Sequence, residues 1–467
     1  MKKAELLFIP SPGLSHLVSA VESAKLLLRR DQRLSVVILT MKLAGDSAVD
    51  AYKNKIIPPP RRLRFIDLPT QEEIAPPNSS VFQYIESQMN PIKEIISDNA
   101  SSLSGVVLDM FCTKFMPIAD EFNLRSYVFF SSGACCLGMY LHLVALKFDF
   151  NQELSEYKRT PEIELSIPCF SNPVPAKVLP AVLIQGGYFS SLFMDYFRRL
   201  RDAAGILVNT FQELENAAIE SMNSDGKLPK LYPIGPILNL ENDEGNNRFG
   251  DVKKWLDDQP EKSVVFLCFG TMGSFQTPQV REIAAAQEKT GSRFLWSLRK
   301  PPEKGATPFP TEYQDYDEVL PEGFPERTEG IGKIIGWAPQ TAILAHRSIG
   351  GFVSHCGWNS VLESVWFGVP VATFPLSAEQ QANAFELVKE LKMAEPIRID
   401  YRHGENPPEI VTAAEIEIAV LRLMGTDGGG GGGGVRENVK EMQRKSRLAM
   451  AEGGSSYHAQ TLFIQNL

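Results

Sequence analysis

The strongest constraint on the fold lies between Trp337 and Gln380. A short apolar run, Gly351-Phe352-Val353-Ser354, leads into His355-Cys356-Gly357-Trp358-Asn359-Ser360. A helical pattern comes next, with Leu362, Val365 and Trp366 at its apolar positions. A strand that turns through small polar residues into a helix aims free backbone N–H groups and a positive dipole end at one spot. That arrangement binds anions, phosphate above all. A second strand over 369–374 and a polar pair, Glu379-Gln380, close the segment.

The same succession recurs along the chain. Residues 4–10 read as a buried strand, followed by a Pro-Gly-Ser turn. A helix over 16–29 comes next, with Leu17, Ala20, Val21, Ala24, Leu27 and Leu28 inward, and then a strand over 34–39. Two strands joined by a helix make a βαβ unit, and so a parallel sheet with ligands at the strand C-termini. Further strands are expected at 63–68, 105–108, 126–130 and 205–209, with helices at 82–97, 115–122 and 192–203. A second series begins at 263–269, which ends in Gly270-Thr271-Met272-Gly273-Ser274. It continues with a helix at 278–290 and strands at 294–298 and 331–335. The expected fold class is α/β, with two Rossmann-like, doubly wound parallel-sheet domains facing a cleft.

At 467 residues the chain exceeds one ordinary core, so two domains of about 200 residues or more are expected. We divide it into residues 1–238, a polar linker at 239–250, and residues 251–451. The Pro-rich stretch 151–190 and the polar loop 300–318 are expected to be irregular, and such segments usually line sites. Seven consecutive glycines at 428–434 suit neither helix nor strand. Two helices, 436–450 and 455–467, are expected on either side of Gly453-Gly454.

Composition narrows the function classes. A net charge of −9 argues against a general nucleic-acid surface. The N-terminal apolar run is too short for a secretory segment, and no stretch reaches the roughly 18 apolar residues of a membrane span. The Asn78 and Asn99 sequons therefore carry little weight. Six cysteines lie within apolar runs without framework spacing, which suits a reducing compartment. A cytoplasmic, monomeric protein is expected.

The segment 337–380, with WAPQ, SHCGWNS, GVP and AEQ, resembles the signature box of plant secondary-product UDP-sugar glycosyltransferases. These are family-1 inverting enzymes of the GT-B fold, and the resemblance implies that the last helix, within 452–467, packs back on the first domain. PSPGLSHL near the start, FLCFGTMGSF in the middle and GGSS near the end extend the resemblance over essentially the whole chain. It implies that Trp337 stacks the uracil, with Ala338 and Gln340 beside it, and that His355 contacts the diphosphate with Gly357, Trp358, Asn359 and Ser360. It further implies that Glu363 accepts the ribose hydroxyls and that Ser377, Ala378, Glu379 and Gln380 meet the sugar, a terminal Gln going with glucose. The residues alone leave blander readings open. A Trp is often core, Asn359 and Ser360 can be N-caps, and Glu363 can simply complement the helix dipole. Thr271 and Ser274 form a second candidate diphosphate contact, and Ser131 resembles the family's hydroxyl near the sugar. His346 is read as structural.

The expected catalytic pair lies in the first half. His16 comes after the first strand through a tight turn, and Asp109 ends the strand at 105–108. A neutral His can take a proton from an attacking hydroxyl, and a carboxylate on Nδ1–H fixes its tautomer. A lone Asp after a strand is otherwise a cap. The resemblance assigns both roles, with Ser15 departing from the Gly of many relatives. Leu14, Phe111, Tyr140 and Leu141 are expected on an acceptor wall for a small lipophilic flavonoid, other phenol or triterpenoid. UDP-glucose is the expected co-substrate, with no metal and no further cofactor. Asp315-Tyr-Asp317 is read as a solvated loop. A nucleotide-sugar binder without transfer activity would lose the base. A nicotinamide dehydrogenase needs Gly-x-Gly-x-x-Gly after the first strand, where this chain has Pro-Ser-Pro-Gly-Leu-Ser-His.

Overall fold

The computed structural model describes residues 4–56, 62–76, 79–240, 247–303, 309–404, 409–425 and 432–467. Seven strands form the first sheet: β1 (Ala4–Ile9), β2 (Leu34–Thr40), β3 (Leu63–Asp67), β4 (Leu103–Asp109), β5 (Ser126–Phe130), β6 (Gly205–Val208) and β7 (Leu231–Pro233). Their order is β3-β2-β1-β4-β5-β6-β7, parallel throughout. The second sheet holds β8 (Val264–Cys268), β9 (Arg293–Ser297), β10 (Gly332–Ile335), β11 (Ile349–Ser354), β12 (Val371–Thr373) and β13 (Ala394–Pro396). Its order is β10-β9-β8-β11-β12-β13, again parallel.

Both orders arise from connectivity. In each sheet the chain runs outward from a central strand, then returns to that strand's other side. The reversal falls between β1 and β4 in the first sheet and between β8 and β11 in the second. Helices splay apart at such a switch point and leave a crevice at the strand C-termini. Covering both faces explains why the central strands read as unbroken apolar runs. Leu7, Ile9, Val37 and Leu39 enter one core, whereas Leu6, Phe8, Val36 and Ile38 enter the core on the opposite face. In the second sheet Val264 and Phe266 point one way, Val265 and Leu267 the other.

Six helices carry or brace the site residues. They are α1 (Leu14–Arg30), α2 (Ala134–Phe148), α3 (Gly187–Arg198), α4 (Trp358–Phe367), α5 (Gln380–Phe385) and α6 (Gly432–Met450). A seventh, α7 (Ser455–Gln465), returns to the first sheet. There Phe463 meets Tyr127 edge-on at 5.0 Å. Gln460 donates to the Ile234 carbonyl at 2.7 Å, and Arg125 donates to the Asn466 carbonyl at 2.8 Å.

Four expectations are corrected. The single helix at 82–97 is two, Val81–Ser87 and Met89–Asn99, parted at Gln88. Pro91 lacks an N–H, and its ring would clash with the carbonyl four residues back. The helix expected at 192–203 begins at Gly187 and tightens into a 3-10 turn over Arg199–Asp202. The stretch 151–190 carries short elements, including an antiparallel pair, Glu164–Leu165 with Val174–Pro175. Finally, α6 takes in Gly432–Gly434. First-turn residues need no N–H acceptor within the helix, and Val439 anchors the helix in the second core. Arg436 ties it further through the Gly350 and Leu423 carbonyls. Of the glycine run, 428–431 lie outside the described residues. So do 241–246 of the expected linker, Asn78 and 304–308; a helix, Asn247–Asp257, begins inside the linker's expected bounds.

Candidate active site

The first switch point brings His16 and Asp109 together. β1 ends at Ile9, Gly13 turns the chain at φ 115°, and α1 starts at Leu14, which puts His16 in its first turn. Asp109 is the last residue of β4, and β1 and β4 are neighbours with Ile9 beside Leu108. His16 Nδ1 lies 2.8 Å from Asp109 Oδ2. The other oxygen, Oδ1, accepts from the Ser11 hydroxyl at 2.5 Å and the Phe111 N–H at 3.0 Å. Asp109 can thus hold the proton on Nδ1 and leave Nε2 as the free acceptor. The Asp109 side chain keeps 2% of its surface in solvent and that of His16 keeps 23%, so the imidazole is reachable and its partner is not.

The electrostatics agree with this geometry. Burial pushes the His16 pKa down, but the charge and hydrogen bond of Asp109 push it up further, with a smaller push from Glu379, and the net shift is upward. Burial pushes Asp109 up, yet His16, Ser11 and the Phe111 N–H together hold it below the usual carboxylate range. That Glu379 acts on His16 matters, because the two belong to different domains.

An aromatic wall stands beside His16. Phe111 meets His16 edge-on at 5.9 Å, and Phe82 and Phe193 lie 6.0 and 5.4 Å from Phe111. All three phenylalanines are half-buried, as is Leu14. Tyr140 and Leu141, also expected on this wall, are buried in the first core. Tyr140 packs at 4.3 Å on Phe197 and at 6.1 Å on Phe130. The helix carrying them, α2, is apolar nearly all round, so its periodicity does not distinguish wall from core. Nothing in the sequence marks Phe82 or Phe193 as part of the wall. Ser11 is also new to the site, although its place in the turn with Gly13 is a signal that could have pointed to it.

The second switch point carries the residues expected to meet an anion. β11 stops at Ser354, Cys356 adopts φ 62°, and Gly357 opens α4. A left-handed φ is uncommon for a non-glycine residue and is often stored at functional sites. No side chain caps α4, so Asn359 and Ser360, at its second and third positions, are not its N-caps. Two glycines make room for the His355 ring. A Cβ on Gly270, in the turn after β8, or on Gly357 would come within 2.5 Å of His355 Nε2. Nδ1 of His355 is out of solvent contact and has no partner among the described residues. Burial alone drops its pKa to about 4, so the ring is neutral near pH 7. In the Gly270 turn, Thr271 is exposed and Ser274 is buried.

Around α4 the remaining residues divide. Gln340 donates to Ser360 Oγ at 2.7 Å and to Glu363 at 2.6 Å. Burial raises the Glu363 pKa to about 7, against the pull of Gln340. Trp337 keeps 41% of its surface exposed, an open aromatic face, while Ala338 beside it is buried. Trp358 is tied to the first domain. Its buried indole donates to the Asn209 carbonyl in the other domain at 2.6 Å, so only its backbone N–H is left for an anion. After β12, Ala378 takes φ 58°. The Gln380 side-chain oxygen accepts from the Leu376 and Ser377 N–H groups at 2.8 and 3.0 Å. That pins the loop and leaves the Gln380 amide nitrogen to donate. Ser377 and Ala378 are exposed, and Glu379 and Gln380 are half-buried. Ser131, half-buried, comes directly after β5. Phe374 is fully buried among Phe269, Phe275 and Tyr401. Asp315 caps the 3-10 turn Tyr316–Glu318, accepting from the Asp317 N–H. His346 bridges Ser348 and Asp257 at the surface. All six cysteines are free and buried. Among the described residues no helix is long and apolar enough to cross a membrane.

A buried His–Asp pair in one domain, with an uncapped helix end and an exposed Trp in the other, invites comparison with known proteins. Residues 210–395 match the family model described as UDP-glucoronosyl and UDP-glucosyl transferase. UDP-glucose flavonoid 3-O-glucosyltransferase 6 of Fragaria ananassa is 47% identical, over 100% of this chain and 99% of its own length. A UGT transferase of Siraitia grosvenorii, solved in complex with UDP, is 43% identical with a TM-score of 0.89, over 99% of both chains. UGT71G1 of Medicago truncatula, complexed with UDP-glucose, is 38% identical with a TM-score of 0.87, over 99% of this chain and 98% of that one. The chain therefore belongs to the plant family of UDP-sugar-dependent glycosyltransferases, built on the GT-B fold.

Proposed function

We propose that this protein transfers glucose from UDP-glucose to a hydroxyl of a small lipophilic metabolite, a flavonoid, another phenol or a triterpenoid. The observation that carries the reading is the His16–Asp109 pair, at 2.8 Å, within reach of the charge on Glu379. The acceptor hydroxyl gives its proton to His16 Nε2 while its oxygen attacks the anomeric carbon. Asp109 stabilises the imidazolium that forms. UDP leaves from the opposite face, so an α-linked donor yields a β-glucoside. The leaving diphosphate is met by the first-turn N–H groups of α4, by His355 and by the Thr271–Ser274 turn, which together supply the charge stabilisation a metal would otherwise give. Trp337, Gln340 and Glu363 hold the nucleoside, and Glu379 and the Gln380 amide hold the sugar. Phe82, Phe111 and Phe193 suit a flat or hydrocarbon-rich acceptor. One chain carries both halves of the site, so a monomer suffices. Buried free thiols suit the cytoplasm.

Mass spectrometry of UDP-glucose incubated with a panel of flavonoids, simple phenols and triterpenoid alcohols tests this. At least one class is expected to gain a single hexose in β linkage. Absence of product across the panel, or an α-linked product, would contradict the reading.

A further inference from the structure

A second buried cluster sits where the two domains meet. Glu215 comes after β6 in the first domain, and Glu386 begins a π-helical turn, Glu386–Glu390, that continues α5 of the second. Glu215 keeps 3% of its surface exposed and Glu386 1%. One side-chain oxygen of each, with the Cys135 sulfur, lies within 4.8 Å of the others. Two carboxylates so close in a dry site cannot both stay ionised.

The surroundings decide which one does. Glu215 accepts from the Ala134 and Cys135 N–H groups, at 2.9 and 2.6 Å, at the positive end of α2. Those bonds favour its charge. Glu386 has no such support, and its Oε1 is buried with no partner among the described residues. The other titratable groups facing it are Cys135, Cys169 and Glu390. Burial keeps both thiols protonated, and Glu390 is bound by the Ser171 and Asn172 N–H groups. None of these offers Glu386 a positive charge.

We infer that Glu386 is a positioning residue for transfer: it retains a proton, donates it in a hydrogen bond to Glu215, and thereby fastens α5 to the domain that carries His16. The inference rests on the sugar-binding role proposed for Glu379 and Gln380, which lie at the start of α5. The rest of the segment supports it. Ala382 and Phe385 of α5 are buried in the first domain's core, with Phe385 at 5.8 Å from Phe170. Burial first, then the charge of Glu215, lift the Glu386 pKa well above the carboxylate range. A group raised on folding stabilises its contact below its folded pKa and loses it as pH rises through that value. Ionised Glu386 would repel Glu215 and loosen α5, whereas the base His16 only improves with rising pH.

The test compares Glu386→Gln and Glu386→Ala in steady-state kinetics across pH. Gln keeps an N–H donor for Glu215 and cannot ionise. It is expected to stay within about twofold of wild type at neutral pH, since the hydrogen bond survives, and to abolish the wild type's alkaline fall in kcat/KM for UDP-glucose. Ala is expected to raise the KM for UDP-glucose by about tenfold, the loss of a hydrogen bond to a charged group. If the Ala variant does not fold, the Gln pH profile alone decides. An alkaline fall missing from wild type, or equal in Glu386→Gln, overturns the inference. So does one equivalent of zinc in the purified enzyme that is lost in Glu386→Ala, since the cluster would then be a metal site. None of these results bears on whether His16 is the base, which a separate substitution tests.

Discussion

Glu363 makes a narrow prediction possible. Its carboxyl has a pKa of about 7 in the free protein because burial outweighs its bond from Gln340. In the role proposed for it, the carboxylate accepts from both ribose hydroxyls, whereas the acid keeps one acceptor oxygen and turns the other into an O–H donor. UDP affinity should therefore rise with pH through 7 and be about tenfold weaker at pH 6 than at the alkaline plateau. Glu363→Gln should flatten that dependence, as calorimetric titration with UDP would register. A carboxyl one turn into a helix is visible in the sequence. Its partner Gln340, in another element, is not, and neither is the burial that moves its pKa. The same holds for Asp109, whose position at a strand end was legible while its bonds from Ser11 and Phe111 were not.

The turns after β8 and β11 work as one unit, because His355 fills the space left by both glycines. Gly270→Ala and Gly357→Ala each force a Cβ to within 2.5 Å of the ring. Gly270 also sits at φ 75°, so alanine there is strained regardless of space. Either substitution should weaken UDP binding by about tenfold or more while the protein still folds, measured by UDP titration alongside thermal unfolding. From the sequence these glycines stood out only as punctuation after apolar runs. The strands were legible because both faces are covered, which makes each a continuous apolar word. Element ends were less so. Pro91 divides a helix whose apolar spacing runs on across the break, and Val439 and Arg436 hold a helix whose first turn is glycine. In both cases a backbone rule and a tertiary contact competed, and periodicity recorded neither outcome.

Two sheets, each with a switch point at its strand C-termini, divide the labour. The half proposed to hold the donor was readable because most of its residues lie within one contiguous stretch, 337–380. The proposed acceptor wall was not, because Phe82, Phe111 and Phe193 come from separate elements and meet only in the folded chain. Contacts that join the halves, Trp358 to Asn209 and Glu215 beside Glu386, link residues about 150 or more apart in sequence and leave no local pattern. The proposed mechanism depends most on His16 being the base. His16→Ala removes the proton acceptor from the first domain and leaves untouched the second-domain residues proposed to hold UDP. Transfer from UDP-glucose to an accepted phenol should fall by roughly 10²–10⁴-fold while UDP affinity stays within about twofold of wild type. Turnover that survives the substitution unchanged would contradict the mechanism.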